Sequence, residues 1–302
     1  MRLLKKEKDS LSVIPESLND LWFLFHSLGN RVVEQRTLRT KVIKKAGEIL
    51  KGKKIPQMLS IKVEKKKWET NRVRLTGKIA EGPEKNKYHS LDLKVYSKIK
   101  IYGGLNNLPR PENYKILTCV VDKGEADFRM YDFVNLKEIK KVLSKGRETE
   151  YYKEIASSLK KENAEIILAG PGKPKNIIAK LIDKDLIVDN LSNGGERGFK
   201  ELLTRGCIKQ VIGKFKDRKE SETVKKFLIE IKKHSDKVCY GSEVEKNKDK
   251  INEILVLNSL VPKYENALEE YERNGVKINI VNDDREYCKE IRQFEIIGLC
   301  WY

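Results

Sequence analysis

Residues 165–182, EIILAGPGKPKNIIAKLI, bring glycine, proline and lysine together between an apolar run and a helix-like stretch. A strand, a glycine turn and a basic helix start, in this order, are typical of loops that hold a phosphate. A nucleotide-binding P-loop needs the spacing G-x-x-x-x-G-K-[ST], in which backbone amides surround the phosphates and a hydroxyl holds magnesium. Here Gly170 and Gly172 are two positions apart, and Lys173 precedes Pro174, which has no amide hydrogen. The spacing therefore excludes an ATP-binding loop.

The same loop is instead predicted to be a basic, exposed connection from a strand to a helix. Two interpretations stay open: a plain strand-to-helix turn, and a docking surface for a partner. Lys173 and Lys175 are expected to be exposed point charges in the first helical turn, where cations oppose the helix dipole. The docking surface would consist of Gly170, Pro171, Gly172, Lys173 and Lys175.

Positive charge is concentrated near the N-terminus. The 302 residues carry a formal net charge of +18, of which residues 1–112 contribute +14, residues 113–212 contribute +4 and residues 213–302 contribute zero. A general lysine bias would spread the excess evenly, so this gradient favours polyanion contact through the first third over a merely solvated lysine-rich face. The candidate RNA-binding residues, all on predicted strands or turns, are Arg31, Arg36, Arg39, Lys41, Lys65, Lys66, Lys67, Arg72 and Arg74.

Alternation of apolar and polar residues in the first third predicts a half-exposed antiparallel sheet. The pattern is clear over residues 61–64, 72–75 and 91–95, and a helix is expected between Pro15 and Gly29. A small barrel with one helix fits these elements. Three aromatic residues of the helix are at helical spacing and are expected to pack in the core rather than stack on bases: Trp22, Phe23 and Phe25.

The other two thirds alternate strands with helices, which predicts two α/β layers. The chain is therefore a multidomain α+β and α/β protein, with domains expected at residues 1–112, 113–212 and 213–302. Residues 203–212 are predicted to be the linker between the last two.

Several classes of protein are disfavoured by composition. The sequence contains no run of about 18 apolar residues, as a membrane span would need, and its first ten residues do not resemble a secretory signal. The five cysteines are scattered singly, without the spacing of zinc ligands, which indicates buried reduced thiols in a cytoplasmic protein.

The chain resembles the Pelota family, the ribosome-rescue paralogues of the eukaryotic and archaeal class-1 release factor. The matching segments run in one collinear order and indicate an archaeal-type member: VIPESLNDLWFLF, RTLR, RLTGKI and YHSLDLKV, then VVDKGEADF, YYKEIASSL, EIILAGPGK and SNGGERGFKELLTRG, and finally VCYGSEV, EILVLNSLV, GVKINIVN and IIGLCWY. Each segment alone is weakly specific, whereas together they form a strong signal. The resemblance implies an N-terminal Sm-like β-barrel followed by two release-factor-like α/β domains.

The resemblance also implies a function and its partners. Members of the family enter the empty A site of a stalled ribosome, bind a translational GTPase of the elongation-factor type and later act with an ABC-type recycling ATPase. Such a factor is expected to be a monomer that contacts ribosomal RNA and mRNA, needs no cofactor for rescue and promotes no-go mRNA decay. Family members commonly have phenylalanine where this chain has Lys173, so GTPase docking at that loop is the part of the resemblance that this sequence departs from.

Residues 192–199, SNGGERGF, bear on whether the chain releases peptides. Release factors hydrolyse peptidyl-tRNA with a Gly-Gly-Gln loop, whereas here Gly194 and Gly195 are followed by Glu196. A carboxylate does not replace the amide that positions water and substrate, so peptidyl-tRNA hydrolysis is not expected.

The resemblance brings one enzymatic alternative, a divalent-metal-dependent endoribonuclease. Phosphodiester cleavage with a metal needs converging carboxylates, and the candidates are Asp122, Glu125 and Asp127 in VVDKGEAD. On a strand Glu125 and Asp127 share a face, while Asp122 precedes Gly124 in a predicted turn, so an acidic hairpin rim is the favoured interpretation. A generic RNA-binding protein is the third hypothesis, and the neutral C-terminal third argues against it.

Overall fold

The computed structural model describes residues 1–45, 48–105, 107–109, 115–131 and 136–301, and the side chains of residues 40–53 lie outside that description. The chain divides into two compact units. The first combines Met1–Glu112 with Ser221–Tyr302, and the second is Asn113–Glu220. Every helix in the described ranges is too short or too polar to cross a lipid bilayer.

The N-terminal part of the first unit is an antiparallel sheet with one helix. Its strands are β1 (Arg2–Lys6), β2 (Ser10–Ile14), β3 (Val32–Lys45), β4 (Glu48–Glu69), β5 (Arg72–Ile79), β6 (Tyr88–Leu93) and β7 (Ile99–Tyr102), ordered β1-β2-β7-β3-β4-β5-β6. Helix α1 (Leu18–Ser27) starts at Ser17, whose hydroxyl accepts the amide hydrogen of Asp20. The predicted alternating segments fall on β4, on β5 and, as far as Leu93, on β6, and the predicted helix is α1. Trp22 and Phe25 are buried as expected, and Phe23 is partly buried.

The second unit is a five-stranded α/β layer. Its strands are β8 (Ile116–Val121), β9 (Glu125–Tyr131), β10 (Leu136–Leu143), β11 (Glu165–Gly170) and β12 (Leu186–Asn190), ordered β10-β9-β8-β11-β12. Strands β8, β11 and β12 are parallel, so their carboxyl ends meet at one edge of the sheet. The helices are α2 (Glu148–Lys161), α3 (Pro174–Lys180), α4 (Gly195–Arg205) and the first part of the long α5 (Cys207–Lys232), which belongs to the first unit from Ser221 onward. Residues of α2 and α3 share one buried cluster with the sheet, and residues of α4 and α5 share another.

The C-terminal part of the first unit is a four-stranded α/β layer. Its strands are β13 (Val238–Tyr240), β14 (Ile251–Leu257), β15 (Lys277–Val281) and β16 (Ile296–Cys300), ordered β13-β16-β14-β15. Helices α6 (Ser242–Lys246) and α7 (Val261–Arg273) connect them. The predicted fold class, an N-terminal antiparallel sheet followed by two α/β layers, is confirmed. All five cysteines are buried and unbonded, as the sequence predicted.

The predicted linker at residues 203–212 is wrong, because this segment is helical. Helix α4 runs to Arg205, Gly206 adopts the left-handed conformation that ends a helix, and α5 begins at Cys207. The first apolar residues of α5, among them Ile208 and Val211, are buried against the sheet of the second unit. The division into three domains stays a prediction, and residues 110–114, which contain its first boundary, lie outside the described part.

Candidate nucleic-acid interface and docking loop

Three of the nine candidate RNA-binding residues have exposed side chains without an ion pair to the described residues: Arg36, Lys65 and Lys67. Arg36 lies on β3, and both lysines lie on β4. Because side chains alternate along a strand, Lys65 and Lys67 point to one face and Lys66 to the other. Exposed, unpaired cations are the groups that bind phosphates, so these three residues form the best-placed part of the predicted interface. We call them the basic face.

Apolar side chains lie beside this basic face, and sequence reasoning missed them. Arg36 pairs with Met58 across the β3–β4 ladder, and Leu38 lies two residues further along the same face. Leu38 is 63% exposed and Met58 is 57% exposed. The sequence signal that could have indicated an exposed apolar side chain is Leu38, which follows the basic Arg36 by two positions and therefore shares its face of the strand.

Arginines elsewhere on the sheet are paired with carboxylates. Arg72 lies 2.6 Å from Glu69 and 3.0 Å from Asp92, and Arg74 lies 3.2 Å from the same aspartate. Arg39 is likewise paired, with Glu84 at 2.7 Å. The paired carboxylates partly neutralise the charges of these arginines. Phosphate contact by these arginines therefore stays a prediction, and it has less support than phosphate contact by the basic face.

The remaining candidates have structural contacts or lie outside the description. Arg31 donates hydrogen bonds to the carbonyl oxygens of Ser27, Gly103 and Gly104, which tie the end of α1 to the segment after β7. Lys66 lies 4.9 Å from the ring centre of Phe25, and burial lowers its pKa. The side chain of Lys41 is outside the described residues. We therefore expect Arg31 and Lys66 to stabilise the first unit rather than to bind RNA.

In the second unit both glycine-rich loops reach the edge formed by the carboxyl ends of β8, β11 and β12. Gly170 ends β11, and a Cβ atom added there would stand 1.9 Å from the carbonyl oxygen of Val121. A Cβ atom on Gly194 would stand 2.2 Å from the Asp122 carboxylate. The Leu191 amide also donates to the Gly170 carbonyl oxygen. Glycine is needed at position 170, where the neighbouring group is backbone and φ is +154°, whereas a Cβ atom at position 194 would require the Asp122 side chain to move.

Substituting Gly170 by alanine is expected to destabilise the second unit by about 1–3 kcal/mol, since the Val121 backbone would have to move. The matched control is Gly213→Ala inside α5, where an added Cβ meets nothing within 4 Å. This control is expected to be neutral or to stabilise by up to about 1 kcal/mol, because alanine favours a helix. Denaturant unfolding measures both changes. Equal effects would show that the close approach does not constrain Gly170.

The three nuclease candidates do not form a metal site. The Asp122 carboxylate accepts the amide hydrogens of Gly124 and Glu125 and so shapes the β8–β9 turn. Asp127 is buried and lies 2.9 Å from Arg129. The described residues contain no group of three or more histidine, cysteine, aspartate or glutamate side chains that could hold a metal ion. These residues therefore do not fit the divalent cation that the endoribonuclease alternative needs.

Glu196 has a clear structural partner. It lies 2.6 Å from Arg129, whose guanidinium also binds Asp127 and stacks 4.0 Å from the ring centre of Phe199. The hydrogen bond from Arg129 lowers the pKa of Glu196, so this glutamate is a carboxylate at neutral pH. The Gly194–Gly195 turn is thereby joined to β9 through the start of α4. Sequence reasoning missed this four-residue cluster, because Arg129 and Glu196 are far apart in the chain.

The docking loop differs from its prediction at one lysine. Lys173 is exposed, as expected, but Lys175 is only 2% exposed and its Nζ donates to the carbonyl oxygen of Gly172. Burial lowers the pKa of Lys175. The expectation of two exposed point charges is therefore wrong for Lys175, which ties the first turn of α3 back to the loop. Docking by Gly170, Pro171, Gly172 and Lys173 stays a prediction.

The arrangement defines a class of protein: an Sm-like sheet with a basic face, combined with release-factor-like α/β layers. The sequence model of the Pelota N-terminal domain matches residues 1–106. The chain is 30% identical to the pelota homolog of Methanococcus vannielii over 328 residues, covering 95% of this chain and 94% of the relative. Identity to the pelota homolog of Methanocaldococcus jannaschii is 27%, with the same coverage. The chain belongs to the pelota family.

Solved structures show the same fold. The crystal structure of Archaeoglobus fulgidus Pelota superposes with a TM-score of 0.80 at 24% identity, covering 100% of this chain and 99% of that one. A model of ribosome-bound archaeal Pelota and ABCE1 superposes with a TM-score of 0.58 at 22% identity, again with coverage of 100% and 99%.

Proposed function

We propose that this chain recognises stalled ribosomes by occupying the empty A site and promotes ribosome rescue, subunit dissociation and no-go mRNA decay. The observation that carries the proposal is membership of the pelota family along nearly the whole chain. The archaeal Pelota of similar fold that is described as ribosome-bound, together with ABCE1, supports the ribosome as the partner. The basic face gives this role a physical basis, because exposed cations on a rigid sheet bind ribosomal RNA phosphates.

The same proposal includes two protein partners. An elongation-factor-type GTPase would dock on the loop that ends in the exposed Lys173, where charge replaces the apolar anchor that the family resemblance implies. An ABC-type ATPase would then act with the chain in subunit dissociation, as the pairing of archaeal Pelota with ABCE1 suggests for that protein. A monomer with no cofactor of its own is sufficient for this role, which is performed in the cytoplasm, where ribosomes are found.

Peptide release is not part of the proposed function. A release loop must present a glutamine amide to the ester bond, whereas Glu196 is a carboxylate engaged with Arg129. Neither the charge nor the location of this side chain suits the positioning of water at a peptidyl-tRNA.

The proposal is tested by binding to stalled ribosomes that carry peptidyl-tRNA in the P site. Affinity is expected to be at least about tenfold higher when the A site is empty than when it is filled by tRNA. The same samples report peptide release, and neither the wild-type chain nor Glu196→Gln should liberate peptide. Equal affinity for filled and empty A sites would exclude A-site recognition. Peptide release at the rate of a true release factor would overturn the non-catalytic assignment.

A further inference from the structure

An aromatic cluster joins the N-terminal sheet to the C-terminal α/β layer inside the first unit. Trp22, Phe25 and Trp68 are each about 2% exposed, and their ring centres lie 5.9–6.0 Å apart. The buried cluster that contains them also contains Val261 and Leu268 of α7. The N-terminal sheet therefore completes its core with side chains from a segment almost two hundred residues later.

The polar atoms of this cluster find their partners in the C-terminal part. The indole nitrogen of Trp22 donates to Glu272 at 2.9 Å, and that of Trp68 donates to Asn258, also at 2.9 Å. Asn258 is fully buried and donates in turn to Asn71 in the turn between β4 and β5. A buried amide or indole without a partner is costly, so separation of the two parts would have to rehydrate each of these groups.

A third set of contacts surrounds the carboxylates of helix α7. Glu269 of α7 lies 2.9 Å from the His26 ring of α1. The ammonium of Lys66, which lies over Phe25, is attracted by the carboxylates of Glu265 and Glu269. Burial raises the pKa of Glu265, and the facing Lys66 opposes that rise. The neighbours of Lys66 on β4 are the exposed Lys65 and Lys67, so a run of three lysines has its middle member directed to α7.

We infer that the N-terminal sheet and the C-terminal α/β layer form one permanently joined body, held by the shared aromatic core, by the hydrogen bonds of Trp22 and Trp68, and by the contact of His26 of α1 with Glu269 of α7. Separating them would expose three aromatic side chains together with the buried Asn258, so the parted state is scarcely populated. The surface that carries the basic face and the C-terminal layer therefore move together. This inference concerns the folded chain itself and does not depend on the proposed function.

The test is a charge exchange in the full-length chain. Lys66→Glu brings a third carboxylate against Glu265 and Glu269 and is expected to lower the Tm by about 3–6 °C. Combining it with Glu269→Lys should recover at least half of that loss. Glu270→Lys is the matched control on α7, because Glu270 is exposed and pairs with Lys248 instead, and it should not rescue Lys66→Glu. Lys65→Glu and Lys67→Glu should each change the Tm by less than about 1 °C.

Two results would overturn the inference. Equal effects of Lys66→Glu and its neighbours, or additive losses in the exchange pair, would show that the charge of Lys66 is not directed toward α7, contrary to the joined arrangement. The second result would come from an unfolding experiment that detects hinge motion. It is performed on the Trp301→Phe variant, in which Trp22 and Trp68 are the remaining tryptophans. Their fluorescence should change in a single denaturant transition together with the secondary structure of the first unit. Exposure of these tryptophans before any loss of secondary structure would reveal a hinge. Should Lys66→Glu fail to fold, Lys66→Met removes only the charge and serves in the same comparison.

Discussion

Replacing Arg36, Lys65 and Lys67 together by glutamine is expected to weaken binding to stalled ribosomes by about two to three orders of magnitude at 0.1 M salt. Each phosphate contact contributes about 0.7–0.9 to the slope of log K against log salt. Three contacts therefore contribute about 2–3 log units to the binding constant at 0.1 M salt. The three residues carry this expectation because they are exposed and make no ion pair within the described residues. The salt slope itself should fall by about 2–3. Equilibrium binding across a salt series measures both quantities.

The control for this experiment removes three charges elsewhere. Lys225, Lys232 and Lys289 are also exposed, and they lie in the third of the chain whose net charge is zero. Their replacement by glutamine should leave the salt slope unchanged, because a loss of net charge alone does not remove a phosphate contact. A comparable fall in both triple variants would show that the basic face binds only through overall charge. An unchanged slope in the first variant would show that the face is solvated surface.

Trp68→Ala is expected to destabilise the first unit by about 3–5 kcal/mol, the range for truncating a buried tryptophan. The change leaves a cavity beside Trp22 and Phe25 and takes the indole donor from the fully buried Asn258. At the scaling for a unit of this size, the Tm would fall by about 6 °C or more. Trp68→Phe keeps most of the ring, so its smaller loss would measure chiefly the hydrogen bond to Asn258, about 1–3 kcal/mol.

Trp301 is the matched control for this substitution. Its side chain is 64% exposed, and Trp301→Ala is expected to change the free energy of unfolding by no more than about 0.5 kcal/mol. Denaturant unfolding followed by circular dichroism measures all three variants without relying on tryptophan fluorescence. Similar losses for Trp68→Ala and Trp301→Ala would contradict the assignment of Trp68 to a shared core.

Local pattern predicted the elements well where one face is buried. The alternation at residues 72–75 became β5, with Val73 and Leu75 inside and both arginines outward. Residues 203–212 were misread, although Cys207, Ile208 and Val211 show the i, i+1, i+4 spacing of a buried helix face. The glycine at position 206 was taken for part of a linker, whereas it only separates two consecutive helices.

The candidate sites were predictable only in part. Charge composition located the basic third, and strand alternation implied that neighbouring lysines point to opposite faces. It did not show that Lys66 lies over the ring of Phe25 or that Arg72 pairs with Asp92. The interpretation of the acidic candidates as a hairpin rim fits Asp122, which shapes its turn, but is wrong for Asp127, which is buried and pairs with Arg129. Glu196 was singled out by its place after two glycines, but its partner was not foreseen.

The sequence by itself determined most of the strands and helices, the concentration of positive charge in the first third and the family to which the chain belongs. These properties follow from composition and from periods of two and 3.6 residues, which are local. Only the tertiary structure decided which cations are free to bind a polyanion. Lys175 is buried and Lys66 is partly buried, while Lys65, Lys67 and Lys173 remain exposed. The reason is that burial and pairing are set by groups remote in the chain, as when Trp68 meets Asn258 across 190 positions.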